Sequence, residues 1–486
     1  MNIMRETLPN ETLCEIFQLL CNEPITLHVL QNASKFNKFP WAVGLVCKRW
    51  RAVFLSHSRL WTSFYLQECT LNVRYIAEMD RRTALYLERS GHLPLTIIVH
   101  QHDIAKNTNL PSSTWKILWS FANHWKTAEL ILTYPGCIVN NLRRCTREMQ
   151  SLESLEIQYP DVASFDVFKN APHLVEVNLI RPRAINIESF PLNQIRRFLM
   201  LLEANRDQIQ NLYSNLREFS NIEELRLLIS YLYVVTIEVP QYPSVHLPRL
   251  RLLQVSHPSF LSWIDAPVLK YLHAEDCYNE FSRCHQGFLP FIQPSCRHIR
   301  QLTLERCFPR TLFSFMKVFT HLDNLSFFGA PVRVVCSIIE AVAKFEFWPP
   351  DLRVLEVACL TEISTSSLLV KAIFSLLEIW NGGSRVRTPL EKLVVQMNWN
   401  HQEGASSLGA MKEASWPSFV AVQMVHPEPC LDSPQCTIFD FSPIGLSSLA
   451  YPPPGIKRLL DSRSTTRHRV CKDCINTSIS QLPRHI

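Results

Sequence analysis

The sequence predicts an α/β protein: a small N-terminal helical module followed by a long, irregular array of strand–turn–helix units. Three observations predict it. One apolar phrase (an apolar residue, two spacers, an apolar, one spacer, an apolar) recurs between residues 125 and 395. Apolar residues at helical spacing precede that array and fall within its intervals. The 486 residues include 31 Pro but only 11 Gly, a balance that favours proline-marked strand entries over glycine-rich phosphate loops. Hydrophobic residues make up 47% and charged residues 19%, which excludes a disordered or collagen-like chain.

The first sixty residues carry two helix signals. Leu8-Pro9-Asn10-Glu11 opens the first, with Asn10 as the expected N-cap, and Leu13, Ile16, Phe17 and Leu20 fall on one face. A loop-like stretch with Asn32, Ser34, Asn37 and Pro40 follows. The second signal is a single helix: Val43, Val46, Cys47, Trp50, Val53 and Phe54 share a face, and Lys48, Arg49 and Arg51 lie opposite. Ser56-His57-Ser58 ends it, and the apolar pair Leu60-Trp61 comes next. Helices this short bury little area alone, so part of their apolar face is expected to meet a partner or the next domain.

These blocks carry a resemblance. Leu8-Pro9-x-Glu11-x-Leu13-x-x-Ile16-Phe17, Leu45-Val46-Cys47-Lys48-Arg49-Trp50-Arg51 and Arg59-Leu60-Trp61 together resemble an F-box. Pro40-Trp41 ahead of the second block is similar to the large F-box families of mushroom-forming fungi. The chain departs from the usual pattern in a long insertion, roughly Cys21 to Phe39. The resemblance implies docking to a Skp-type adaptor and, through it, to a cullin ubiquitin ligase. By position, Leu8, Pro9, Leu13, Ile16, Phe17, Val46, Cys47, Trp50, Leu60 and Trp61 would form the adaptor-binding or domain-core apolar set.

In the long middle the phrase appears eleven times, from Trp125-Ala128-Leu130 through Leu152-Leu155-Ile157, Leu250-Leu253-Val255 and Leu352-Leu355-Val357 to Leu390-Leu393-Val395. Most starts fall in or close to the 20–29-residue period of leucine-rich repeats. Matches alone decide little, because roughly twenty would arise by chance in a chain this apolar. The flanking turn residues and helix-spaced runs such as Leu312, Phe315, Met316 and Phe319, or Leu369, Ala372, Ile373, Leu376 and Trp380, favour stacked strand–turn–helix units. The Asn expected after each strand is mostly missing, with Cys277 and Cys307 in its place twice, so the arc is expected to be irregular. Tyr86 to Gly91 followed by Pro94-Leu95 resembles the helix-to-first-strand junction of the fungal F-box proteins, which sets the first strand at 95–99. The expected organisation is an F-box-like domain over 1–66, a leucine-rich-repeat-like solenoid over 67–425 and a Pro-rich, partly flexible tail over 426–486.

In such an arc the residue between the second and third apolar positions points to the concave face. Those residues include Glu156, Asn178, Arg226, Gln254, His273, Thr303, Ser326 and Glu356. They are candidate substrate-binding positions of mixed chemistry, with no single-sign stripe to name a ligand.

Nothing in the sequence marks an active site. There is no Walker or dinucleotide glycine motif, no H-E-x-x-H and no G-x-S-x-G, and Ser113-x-x-Lys116 lacks companion motifs. Cys471-x-x-Cys474 with His468 is half of a structural zinc set, so neither metal nor cofactor is expected. A net charge of +6 is mild for this length and does not imply nucleic acid, and the basic residues between Lys457 and Lys472 read as a solvated tail. The 16 Cys are scattered rather than framed for disulfides, and neither a signal peptide nor a membrane span is apparent. The expected setting is the cytoplasm or nucleus. The expected role is a non-enzymatic substrate receptor, with the adaptor at one end and an unknown substrate protein on the arc. A protein-interaction scaffold unconnected with ligation is the alternative.

Overall fold

The computed structural model describes residues 8–20, 25–28, 43–68, 73–101, 112–131, 149–158, 166–182, 186–202, 206–229, 242–275, 296–305, 319–343, 351–360, 372, 375, 391–398 and 420–425. The helices expected over 312–319 and 369–380, the Cys277 and Cys307 positions and the 426–486 tail lie wholly or largely outside them.

The N-terminal helices are α1 (Asn10–Leu20), α2 (Val43–Val46) and α3 (Lys48–Ser56), followed by a 3₁₀ turn at Ser58–Trp61. Asn10 does not cap α1. The first helical bond runs from Leu13 N–H to the Pro9 carbonyl, and the Asn10 side-chain oxygen instead accepts from Arg49 at 3.0 and 3.1 Å. The expected single second helix is broken at Cys47, whose backbone is extended and whose Sγ accepts from Trp50 N–H at 3.4 Å. A cap of this kind satisfies one orphan donor and lets the chain turn between α2 and α3.

Among the described residues, fifteen parallel strands build one sheet, each bonded to the next in chain order. They are β1 (Ile25–His28), β2 (Ser63–Glu68), β3 (Leu95–Gln101), β4 (Trp125–Ile131), β5 (Ser154–Gln158), β6 (Glu176–Ile180), β7 (Arg197–Leu202), β8 (Glu224–Ile229), β10 (Leu252–Val255), β12 (Tyr271–Ala274), β13 (Gln301–Glu305), β14 (Asn324–Pro331), β15 (Val354–Leu360), β16 (Lys392–Asn398) and β17 (Val420–Val425). β9 (Val245–His246) and β11 (Ile264–Asp265) pair separately. The sheet therefore begins before the strand expected at 95–99. β1 comes from the insertion and β2 from the edge of the helical module, and β2 spans the 66/67 boundary. Phe64 and Leu66 are buried while Tyr65 is partly exposed, a period-2 pattern too short to stand out beside Leu60-Trp61.

The apolar phrase falls in register. Ala128, Leu155, Val177, Phe198, Leu225, Leu253, Leu272, Leu302, Leu325, Leu355 and Leu393 form one continuous row, and each is at most 2% exposed. The connections are uneven. Residues 166–168, 187–189, 192–194 and 258–263 form 3₁₀ turns, whereas α6 (Arg206–Asn215) follows β7 and α7 (Val332–Ala343) follows β14.

Proline marks several strand entries. The N–H groups of Leu174, Leu250 and Leu269 bond back to the carbonyls of Ala171, Leu247 and Ala266, which places Pro172, Pro248 and Pro267 at the second position of a four-residue turn. The fixed φ of proline suits that position.

Among the described residues, the N-terminal part also holds α4 (Val73–Ser90) and α5 (Ser112–Ser120). α4 turns Met79, Thr83, Tyr86, Leu87 and Ser90 inward, the spacing of a single helical face. Gly91 ends it at φ +63°, donating to the Glu88 carbonyl as a left-handed residue after a helix does. Gly91→Ala is expected to destabilise the protein by ~1 kcal/mol, read as a lower urea midpoint with unchanged m, because an L side chain resists that backbone.

Candidate functional site

The eight candidate positions read from the sequence share one row of the sheet. Cross-strand register runs Glu129, Glu156, Asn178, Leu199, Arg226, Gln254, His273, Thr303, Ser326, Glu356 and Val394. The row lies on the face opposite the leucine core because side chains alternate along each strand. Several of its polar members are held by neighbours. Asn178 donates to Glu156 at 3.4 Å, Gln254 to Glu275 at 2.6 Å, and Ser326 to Glu356 at 3.1 Å. Arg226 pairs with Glu224 at 3.4 Å, while burial pushes its guanidinium pKa down and Glu224 opposes that shift. At the N-terminal end His100 bridges the Tyr65 hydroxyl and the Glu129 carboxylate, both at 2.9 Å.

Three features of the sheet escape the sequence reading. Ile180, Leu199, Leu201 and Leu228 form a second buried apolar cluster on the polar face, so β7 is buried on both sides. The signal is its unbroken run Phe198 to Leu202, which lacks alternation. Charged residues after the first apolar position of a phrase meet across strands: Lys126–Glu153 at 3.4 Å, Arg300–Asp323 at 3.3 Å and Arg353–Glu391 at 3.5 Å. These exposed pairs contribute little individually but fix which charges lie along the strand entries. His100 and Tyr65 also lie ahead of the first phrase, where no repeat directs attention to them.

The ten residues assigned to adaptor binding divide by burial. Leu13, Phe17, Leu60 and Trp61 are interior. Phe17 meets Trp50 edge-on at 5.3 Å and Phe54 at 6.4 Å, and Phe54 meets Trp61 at 5.0 Å. Ile16, Cys47 and Trp50 are partly covered. Leu8, Pro9 and Val46 are exposed, together with Leu45 at 69% and Leu19 at 71%.

A cleft of about 380 Å³ opens between α2–α3 and α4, floored by Phe54, Trp61 and Tyr86 and rimmed by Arg51, Arg81, Arg82, Arg89 and Glu78. The Arg89 guanidinium lies 4.6 Å from the centre of the Trp61 ring, an attractive cation–π position. Hydrogen bonds from Arg81 and then Arg82 hold the Glu78 carboxyl down to about 2. A depressed carboxyl stabilises the fold fully above its ordinary value of 4.5 and loses that contribution as pH falls toward about 2. Glu78→Gln is thus expected to lower the melting temperature slightly at neutral pH and not at pH near 2. Melting curves of both proteins across that range check it.

Among the described residues no helix is long and apolar enough to cross a membrane. Compared with known proteins, the chain matches no family model and none of the curated sequences.

Proposed function

We propose that the chain is the substrate receptor of a Skp–cullin–F-box ubiquitin ligase. The N-terminal helices dock the Skp-type adaptor, and the sheet is the inner layer of an irregular leucine-rich-repeat-like solenoid that holds a substrate protein. One observation carries the reading. The helices seal Phe17, Phe54 and Trp61 inside yet leave Leu8, Leu19, Leu45 and Val46 exposed, and most of these lie in the sequence blocks that resemble an F-box. Exposed apolar side chains on a small module are what a partner helix covers.

The sheet supports the second half. Its parallel strands follow one another in chain order, as stacked repeats require. It offers a polar row, interrupted by Leu199, on which another protein can be held. The mechanism is proximity: two docking surfaces on one body raise the effective concentration of substrate lysines at the charged conjugating enzyme, with no bond chemistry from this chain.

The test is capture of a recombinant Skp-type adaptor by the intact purified chain. Stoichiometric recovery supports the reading, and no recovery overturns it in favour of a scaffold outside ligation. Deleting residues 1–66 is a poor control, since the cut falls inside β2 and removes β1 from the sheet. Point changes at the individual exposed apolar residues are the cleaner comparison.

A further inference from the structure

We propose that the cleft between α2–α3 and α4 is a docking site for an acidic segment of a partner protein, one that presents an aliphatic side chain among its carboxylates. The cleft holds about 380 Å³, near the lower end of ligand-sized clefts. Its charge and its shape each point to that occupant.

Charge comes first. Among the described residues that line the cleft, four are arginines and one is a carboxylate. That carboxylate, Glu78, accepts from Arg81 at 2.8 Å and from Arg82 at 2.6 Å, so it balances the α4 pair and not the opposite rim. Arg51, on α3, and Arg89, near the end of α4, add two more positive charges. Burial pushes the Arg89 guanidinium pKa down; Glu88 and Tyr86 oppose that shift, and Arg51 adds to it. The two guanidiniums therefore repel each other across a half-sheltered space. An anion seated there offsets the repulsion, and guanidinium forks suit carboxylate oxygens. The Trp61 ring, 4.6 Å from Arg89, holds one of the two in place before any ligand arrives, which lowers the ordering cost of binding.

Shape separates a peptide from a flat aromatic anion. Phe54, Trp61 and Tyr86 make the floor, yet each is at most 1% exposed, because the rings pack on one another and Arg89 covers Trp61. The floor thus offers a closed apolar surface and no open ring face for stacking. Leu55 and Leu85 are half-buried lining residues, and they supply apolar walls for a branched aliphatic side chain. A leucine flanked by Asp or Glu fills the cleft and brings carboxylates to its arginine rim.

This inference goes beyond adaptor docking and is tested without any adaptor. The probe is a fluorescein-labelled Glu-Asp-Leu-Asp-Glu peptide, titrated with the intact chain and read by fluorescence anisotropy. The parent is expected to bind it more tightly than ~1 mM, and at least ~5-fold more weakly when ionic strength rises from about 0.05 to about 0.5 M. The Gln-Asn-Leu-Asn-Gln and Glu-Asp-Ser-Asp-Glu peptides are each expected to bind at least ~5-fold more weakly, since one lacks the charge and the other the apolar anchor. Arg51→Glu, a change at an exposed side chain, is expected to cost at least ~10-fold with an unchanged melting temperature. Arg89→Gln provides a second reading of the same rim. Arg217→Glu makes the same change in net charge at an exposed site on the 3₁₀ turn before β8 and is expected to leave binding within ~2-fold. No binding by the parent at ~1 mM overturns the proposal, as does equal affinity in a folded Arg51→Glu variant. Binding of phenyl phosphate in place of the peptide also overturns it and makes the cleft a small-anion pocket.

Discussion

Trp61→Ala is expected to lower the stability of the whole protein by about 3–5 kcal/mol, the usual cost of removing a fully buried large aromatic. Trp61 is 0% exposed and lies where the helical module meets the sheet. Its ring centre is 5.0 Å from Phe54, on α3, and 4.7 Å from Tyr86, on α4. Its indole N–H donates to the Phe54 carbonyl at 3.1 Å, and Arg89 covers the ring. Alanine would open a cavity, strand a buried carbonyl and remove the cation–π partner together. The core runs without a break from Leu13 and Phe17 through Trp61 and Phe64 to the sheet leucines, so the loss is expected in one cooperative transition that includes the sheet. Urea unfolding followed by far-ultraviolet circular dichroism reads it. A loss under 1 kcal/mol, or one confined to a small early phase, would show that the module is packed independently of the sheet. Trp61→Phe separates the contributions: it retains most of the apolar area and loses the indole donor, so a cost of about 1–2 kcal/mol is expected.

Much of this arrangement is legible in the amino-acid sequence, and the reason is periodicity. The leucine phrases work because each strand buries one face, and a one-residue slip would turn every leucine to the other side. The same alternation identifies Glu156 to Glu356 as one row. Legibility fails where a local interaction has no periodic signature. Cys47 breaks one apparent helix into two through its own extended backbone and a sulfur cap, a decision taken by a single residue inside an unbroken apolar pattern. Asn10 looks like a cap by type, but Arg49, distant in sequence, claims its oxygen. β1 is four residues within an insertion, below the length at which alternation can be distinguished from chance. His273 stands in the row, but Glu275 and Glu305 lie two residues past the row positions, and only the parallel pairing of β12 with β13 brings them near it.

Replacing Leu45 and Val46 together by Glu is expected to weaken capture of the Skp-type adaptor at least ~100-fold while leaving the melting temperature nearly unchanged. The expectation follows from exposure. Leu45 is 69% exposed and Val46 42%, so neither is buried in the leucine core, and surface substitutions of this kind usually change stability by less than ~0.5 kcal/mol. Within a desolvated interface the balance reverses, because each introduced carboxylate loses apolar contact and is buried without a partner. Central interface positions cost ~2 kcal/mol or more apiece, and two together exceed the ~2.7 kcal/mol of a 100-fold change. Phe17→Ala provides the contrast. Phe17 is wholly buried between Trp50 and Phe54, so that variant should lose capture only as it loses the fold, with both falling together in a melting experiment. A Leu45→Glu, Val46→Glu double variant that still captured adaptor as the parent does would remove α2 from the docking surface. Adaptor binding would then have to run through Leu8, Pro9 and Leu19 on and just before α1, a surface that Leu8→Glu with Leu19→Glu tests in the same assay.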